Sequence, residues 1–256
     1  TNDTTPTFTG SGEVGATVTL FDGTTELGTA LVGNNGQWSI TSSALTAGDH
    51  TITAKAADAA GNISAASSGL TVTIDTTPPA ITFGALAFSA DTGATNDFIT
   101  STPTQTISAT LSAALGTGDK VWGNLGAGWV DITGKVSGTT LTLDNVTLVS
   151  GSNTLQLKVT DSAGNDGTVF SQTYVLDQAA PDAPTALATG STVTNDTTPT
   201  FTGSGEVGAT VTLFDGTTEL GTALVGNNGQ WSITSSALTA GDHTITAKAA
   251  DAAGNI

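Results

Sequence analysis

Residues 1–63, TNDTTPTFTGSGEVGATVTLFDGTTELGTALVGNNGQWSITSSALTAGDHTITAKAADAAGNI, return without one change as residues 194–256. An active site has no use for a verbatim copy of itself in the same chain, whereas an array of structural units is made of such copies. The copy recurs after 193 residues, which is longer than one small domain. The sequence therefore predicts an array whose repeating unit is a pair of domains, one short and one long.

Composition restricts the classes of protein to which the chain can belong. Its 256 residues suffice for two or three domains, and the absence of Cys excludes a disulfide framework and a thiolate metal site. Acidic residues number 22 against five basic ones, for a net charge of −17, which argues against nucleic acid and anionic membranes as partners. Because 37% of the residues are hydrophobic and fall in alternating runs, we expect the chain to fold. The carboxylates then suit either solubility in a salty exterior or hard cations.

Neither membrane insertion nor an export signal is predicted within these residues. No apolar run approaches the ~18 residues of a membrane span, and the first residues lack the basic and then apolar layout of a signal peptide. The chain also contains no Met. We therefore expect a segment of a longer protein, with any export signal outside these residues.

Short alternating runs separated by turn residues predict an all-β chain folded as β-sandwiches. The clearest strand is predicted at residues 49–57, where Ile52 and Ala56 face inward and alternate with polar residues. A last strand is predicted at residues 70–75, with Leu70 also facing inward.

Three domains are predicted, at residues 1–75, 76–177 and 178–256. The middle one is longer and diverged, and Pro78 and Pro79 should stiffen the linker in front of it. The third repeats the first but stops before its last strand, which should leave a hydrogen-bonding edge exposed. We interpret this as a boundary of the segment rather than as the natural end of a domain.

The middle domain shares sequence patterns with the first. Its residues 151–165, GSNTLQLKVTDSAGN, align with residues 48–62, GDHTITAKAADAAGN. Asn96 and Asp97 precede a predicted strand, as Asn2 and Asp3 do.

The pattern NDTTPTFTGSGEVGATVTLFDG, NNGQWSIT, LTAGDHTITAKAADAAGN and VTIDTTPP resembles the bacterial immunoglobulin-like (BIg) repeats of giant secreted RTX/Bap-type surface adhesins and biofilm proteins. The resemblance covers nearly the whole chain and is weakest around residues 121–135. It implies tandem immunoglobulin-like β-sandwich domains in an extended array. Several arrays of this kind bind calcium at their domain junctions, so the resemblance also implies Ca²⁺ as a partner.

Carboxylates are predicted to gather where the first and second domains meet. The loop before the last strand of a sandwich lies at the end where the chain enters, so Asp161 should point toward the linker that carries Asp75. We expect Asp97, before the first strand of the middle domain, and Glu13, in a turn of the first, to face the same gap. Such a cluster would repel itself unless a cation neutralised it, and calcium takes about six to eight oxygens from carboxylates, carbonyls and water. The sequence therefore predicts a calcium site at this joint.

A second calcium site is predicted between the second and third domains, from Asp177, Asp196 and Asp251. The predicted ligand set also includes Asp58 and Asp3. The alternative for all of these residues is that they form turns, which Asp favours in any loop. We adopt that alternative for a further four: Asp22, Asp119, Asp131 and Asp144.

The remaining chemistry-bearing residues give weaker patterns. Neither histidine, at position 50 or 243, has a second His or a nucleophile motif nearby, so we expect no zinc site and no catalysis, and we assign His50 outward on its strand. Trp38 and Trp231 are expected to fill sandwich cores. Trp122 and Trp129 of the middle domain are candidates for stacking on sugars.

The sequence thus favours a structural spacer over an enzyme. We expect a stalk segment of a bacterial cell-surface adhesin or biofilm protein, extended and rigidified by Ca²⁺ at its linkers, with neighbouring repeats of the same chain as partners. A host or matrix ligand would bind elsewhere in the full protein. The alternative is a glycan- or protein-binding module with its site on the middle domain.

Overall fold

The computed structural model describes residues 1–256 and consists of three successive β-sandwiches. The only helix is a 3-10 helix of three residues, Thr133–Lys135, and no helix of the structure is both long and apolar enough to span a membrane. The all-β fold predicted from the alternating runs is confirmed.

The first sandwich is formed by β1 (Thr7–Ser11), β2 (Thr17–Asp22), β3 (Thr25–Leu31), β4 (Gln37–Thr41), β5 (Gly48–Ala57) and β6 (Leu70–Ile74). One sheet pairs β1 with β4, and the other has the order β3-β2-β5-β6. Alternation sets which residues are buried: in β2, Val18 and Leu20 face the core while Thr17 faces solvent. The prediction for Leu70 is wrong. This residue is 58% exposed, because it lies on an edge strand and the facing sheet has only two strands.

The second sandwich is formed by β7 (Phe83–Phe88), β8 (Ile99–Thr100), β9 (Thr104–Leu111), β10 (Lys120–Asn124), β11 (Val130–Asp131), β12 (Val136–Ser137), β13 (Thr140–Thr147), β14 (Gly151–Thr160) and β15 (Phe170–Leu176). Its sheets have the orders β12-β13-β9-β7 and β11-β10-β14-β15-β8. All pairs are antiparallel except β8 with β15, where Ile99 lies opposite Val175 in parallel.

The third sandwich is formed by β16 (Thr185–Thr189), β17 (Thr200–Ser204), β18 (Thr210–Asp215), β19 (Thr218–Leu224), β20 (Gln230–Thr234) and β21 (Ile245–Ala250). Its sheets have the orders β16-β17-β20 and β19-β18-β21. Beside β21, a groove of about 740 Å³ is lined by Phe201, Leu238 and Ile245. The strand of the first sandwich that corresponds to β21 is β5, and there β6 pairs along its edge.

Each sandwich has its own hydrophobic core. The three clusters contain nine, thirteen and nine buried residues, and no residue is shared between them. Burial of this apolar surface is the main stabilising term in such domains. The joints between the sandwiches therefore depend on other contacts.

The strand register defines two ends for every sandwich. In the first, Thr17 pairs with Ala57, and Gly48 pairs with Ile74. The end that carries residues 58–62 is called here the loop end, and the end at which the last strand finishes, at Asp75, is called the exit end. In the second and third sandwiches the chain enters at the loop end, runs to the exit end through β7 or β16, and turns back.

Trp38 and Trp231 both pack against core residues, but only Trp231 is buried, at 3% exposed. Strand β16 pairs with β17 beside Trp231 and covers it. In both copies the indole N–H donates to a main-chain carbonyl, that of Ser11 or Ser204.

Candidate functional site

A dense network of polar contacts lies in a five-residue loop of the second sandwich, residues 161–165. One carboxylate oxygen of Asp161 accepts the main-chain N–H groups of Ala163, Gly164 and Asn165 at 2.8–2.9 Å. The other oxygen accepts the side-chain amide of Asn165 at 2.9 Å. The loop is therefore folded around a single carboxylate.

This network sets the charge state of Asp161. Burial alone would raise the pKa of the carboxyl group, but the Asn165 amide and the main-chain N–H donors stabilise the charged form more strongly. The net effect is a pKa below the usual value for Asp. The contribution to stability is present above the unfolded pKa and is lost as the pH falls through the folded pKa.

The first joint, between the first and second sandwiches, is made by the same loop. The Asn165 amide also donates to the main-chain carbonyl of Asp75 at 2.8 Å. In the opposite direction, the N–H of Asn2 donates to the carbonyl of Ala163 at 3.0 Å. Asn165 is only 9% exposed, so the amide lies inside the contact.

The second joint, between the second and third sandwiches, repeats this arrangement. The Asn255 amide donates to the carbonyl of Asp177 at 3.0 Å and to the carboxylate of Asp251 at 2.7 Å. The hydroxyl of Thr92 donates to the carbonyl of Ala253 at 2.5 Å. Two joints of different sequence therefore use corresponding pairs of reciprocal bonds, in which the Thr92 hydroxyl takes the place of the Asn2 N–H.

Backbone approaches closely at the second joint. A Cβ added to Gly93 would lie 2.1 Å from the carbonyl oxygen of Ala252, and Gly93 has a φ of +76°. Only glycine accommodates both the conformation and the contact.

Four of the predicted ligands lie at the joints in two pairs, although the Asn amide that links each pair reaches the main-chain carbonyl, and not the carboxylate, of Asp75 or Asp177. Asp75 and Asp161 lie at the first joint, and Asp177 and Asp251 at the second, each pair bridged by one Asn amide. Asp3 follows Asn2 at the exit end of the first sandwich. Its carboxylate accepts the N–H and the hydroxyl of Thr5 within its own turn.

The other four predicted ligands lie elsewhere. Glu13 and Asp58 are at the loop end of the first sandwich, away from Asp75. Asp97 is at the exit end of the second sandwich, beside β8, and Asp196 is at the exit end of the third, beside Asp242.

The reason for these differences is the strands that precede the repeated motif. Our placement assumed that the chain begins each sandwich with the strand after Asn-Asp. Instead, β7 and β16 come first and carry the chain to the far end, so that the turn after β17 lies on the loop end. Glu206, the copy of Glu13, accordingly accepts the N–H of Asp182 in the linker that enters the third sandwich.

Sequence reasoning missed the residues that cross the joints: Asn165, Asn255, Thr92 and Asn2. The two Asn residues were visible as the last letter of the aligned motif Asp-x-Ala-Gly-Asn, but Asn favours turns in any loop. Nothing in the sequence singles out Thr92.

The carboxylates at the joints do not fit a calcium site in their present arrangement. No group of three or more His, Asp or Glu side chains is placed to hold a metal ion. Both oxygens of Asp161 and of Asp251 already accept N–H donors, whereas a calcium ligand must turn its lone pairs to the ion. Calcium binding stays a prediction from the sequence and from the resemblance.

Each tryptophan ring of the middle sandwich has a lysine ammonium over it in a cation–π contact. The ammonium of Lys158 lies 4.9 Å from the ring centroid of Trp129 and 2.6 Å from the carboxylate of Asp166. That of Lys120 lies 5.7 Å from the ring of Trp122. A sugar stacking on these faces would have to displace a cation–π contact.

The histidines are less exposed than expected. Nδ1 of His50 lies 2.7 Å from the carboxylate of Asp22, and Nε2 lies 2.8 Å from the carbonyl of Thr46. Its side chain is only 11% exposed, which corrects the outward assignment. His243 and Asp215 repeat this pair at 2.7 Å.

These features define a class: immunoglobulin-like β-sandwiches in tandem, joined end to end by one recurring loop. The sequence profile of the bacterial Ig-like domain family matches residues 1–76 and 177–256, more than half of the chain. The chain belongs to this family. No curated protein matches its sequence.

Solved structures with some similarity come from varied proteins. The fibronectin(III)-like modules of Clostridium thermocellum CbhA are 14% identical, with 69% of this chain and 81% of that chain covered and a TM-score of 0.37. The BSP domain of a biofilm associated protein is 16% identical, with 91% and 54% covered and a TM-score of 0.23. The ICAM-5 D1–D4 ectodomain fragment is 17% identical, with 96% and 71% covered and a TM-score of 0.30. At such identities and scores these structures say nothing about what this chain binds.

Proposed function

We propose that this chain is a spacer segment of a bacterial cell-surface adhesin or biofilm protein of the RTX/Bap type. Stacked sandwiches would hold other parts of that protein away from the cell. The observation that carries the proposal is the recurrence of one docking arrangement at both joints, with Asn165 and Asn255 in equivalent roles.

Three other features support an extracellular spacer. The chain leaves the first and second sandwiches at the exit end and enters the second and third at the loop end, so these domains connect in series and not side by side. Residues 194–256 copy residues 1–63 without change, as expected where a unit serves length and not a unique ligand. The net charge of −17 favours solubility at a crowded surface.

Small-angle X-ray scattering tests the spacer directly. Strand β5 has ten residues, which at about 3.4 Å each gives about 34 Å, so three sandwiches in line should span about 100 Å. A compact body of 256 residues would span about 50 Å. We expect a maximum dimension near the larger value. A value near the smaller one would refute the spacer.

The calcium hypothesis is tested on the same sample. Protein freed of divalent ions with chelator would be titrated with Ca²⁺, and its maximum dimension followed. Metal-stiffened joints predict that the dimension rises on addition of Ca²⁺ and falls again with chelator. An unchanged dimension would remove calcium from the function and leave the spacer intact.

A further inference from the structure

The loop at each joint occurs three times in the chain, and its internal bonds form in every copy. In residues 58–62, 161–165 and 251–255, the Asn amide donates to the carboxylate of the Asp four residues earlier, at 2.7–2.9 Å. The N–H of the same Asn donates to that carboxylate as well. Residues 59–62 of the first copy are exposed, and the hydrogen bonds to Asp58 all come from within the loop. The loop therefore takes its shape without a partner.

A primary amide has two N–H donors, and the loop uses them differently. One holds the Asn side chain to its own Asp, which fixes its direction. The second crosses to the neighbouring sandwich, where it meets the carbonyl of Asp75 or Asp177. Because the side chain is already oriented, little conformational entropy is lost when the second bond forms.

We propose that Asn165 and Asn255 are the locking residues of the joints, and that the lock requires no divalent cation. The Asp of each loop serves as the internal support of the Asn and not as a metal ligand. The proposal rests on the proposed spacer function only in assuming that the joints determine how the spacer performs.

The geometry also defines the partner that the loop accepts. The partner offers a main-chain carbonyl at the residue that closes its last strand, Asp75 or Asp177. It also offers one donor to the Ala carbonyl of the loop, which is a main-chain N–H from Asn2 or a hydroxyl from Thr92. Because the carbonyl and one of the two donors are main-chain groups, the lock tolerates sequence differences between successive sandwiches. This explains how it serves both a repeated and a diverged domain.

Distances between spin labels test the lock in the full chain. The chain has no Cys, so T24C with T154C would report on the first joint, and T154C with T217C on the second, all at exposed sites. Measurements would be made in chelator by pulsed electron paramagnetic resonance. The variants are Asn165→Ala and Asn255→Ala. The matched control is Asn62→Ala, which removes the same internal bond from the copy that touches no neighbour.

We expect one narrow distance distribution for each joint in the parent chain. Asn165→Ala should abolish the narrow peak at the first joint only, Asn255→Ala at the second only, and Asn62→Ala should change neither. Amide chemical shifts of the core residues would show that the sandwiches remain folded. If one variant unfolds its own sandwich, the other variant still tests the lock at the other joint.

Two results would overturn the proposal. One is a narrow peak at both joints in the Asn165→Ala and Asn255→Ala variants. The other is a parent chain whose peaks are broad in chelator and narrow only with Ca²⁺. Either would leave the spacer untouched, since the spacer fails on the maximum dimension and the lock fails on the width of the distributions.

Discussion

The two copies of the histidine, His50 and His243, each form an ion pair, and the pKa of each imidazole is raised. The hydrogen bond to Asp22, assisted by the Thr46 carbonyl, raises the pKa of His50 above its ordinary value. The carbonyl of Thr239 and the carboxylate of Asp215 raise the pKa of His243. The charged imidazole therefore ties a turn to the end of β2 or β18. This stabilisation is fully present below the unfolded pKa and is lost as the pH rises through the folded pKa.

We predict that both histidines titrate above pH ~6.5. Replacing Asp22 with Asn removes the charged acceptor and should lower the pKa of His50, while the pKa of His243 stays unchanged. A titration followed by NMR of the imidazole protons measures both in one sample. Equal movement of the two curves would contradict the assignment.

Gly10 and Gly203 each lie against a tryptophan ring and leave no room for a side chain. A Cβ on Gly203 would lie 2.4 Å from the Trp231 ring and 2.8 Å from the carbonyl of Thr185. We predict that Gly203→Ala destabilises the third sandwich by about 1–3 kcal/mol, because the core has no room to absorb a methyl group. Urea denaturation with Gly190→Ala as control measures the loss, since nothing lies within 4 Å of a Cβ at Gly190. Equal stability of the two variants would refute the close contact.

At the residue scale, the sequence predicted Asp75 next to Asp161 because the position of a loop in a sandwich follows from strand order. It could not assign the bond between them to Asn165. Whether an Asn amide points into its own loop or across to a neighbour depends on the packing of the two domains, which no local pattern records.

Among the elements, the same residues form a strand of different length in two places. Strand β5 begins at Gly48, whereas β21 begins at Ile245, which corresponds to Ile52. The difference is the partner: β6 pairs with the first five residues of β5. Tertiary pairing therefore outweighs local propensity.

Alternation predicted β5 well, because one of its faces lies in the core. It did not predict β7 or β16, each of which follows a proline-containing stretch at the start of its domain. Strand β16 is mostly exposed, so it has no buried face to mark it in the sequence. The direction of the chain through each sandwich was wrong for this reason, and with it the placement of Glu13 and Asp196.

The groove beside β21 leads to a prediction about strand addition. A synthetic peptide with the sequence of residues 64–75 should bind the chain at one site, because it can pair with β21 as β6 pairs with β5. Amide hydrogen exchange should then slow in residues 241–245. A peptide with Val72→Asp and Ile74→Asp is the control, since it keeps the length but loses the apolar face. Equal binding of the two peptides would refute strand addition.

At the scale of the whole molecule, the joints are separate, since they share no residue. We predict that the double variant Asn165→Ala, Asn255→Ala reduces the mean maximum dimension by about the sum of the two single reductions, as independent sites do. Scattering of the four proteins at one ionic strength measures this. The double variant with Asn62→Ala and Asn255→Ala is the control and should match Asn255→Ala alone. A reduction much larger than the sum would show that the joints communicate.

The parallel pair of β8 with β15 has a mechanical consequence. A pull on the two ends of the second sandwich acts along its strands, because the chain enters at the loop end and leaves at the exit end. The bonds from Val175 to Phe98 and from Asp177 to Thr100 lie across that direction. Tension therefore loads them together in shear and cannot open them one after another, so this parallel pair adds mechanical resistance to that of the core.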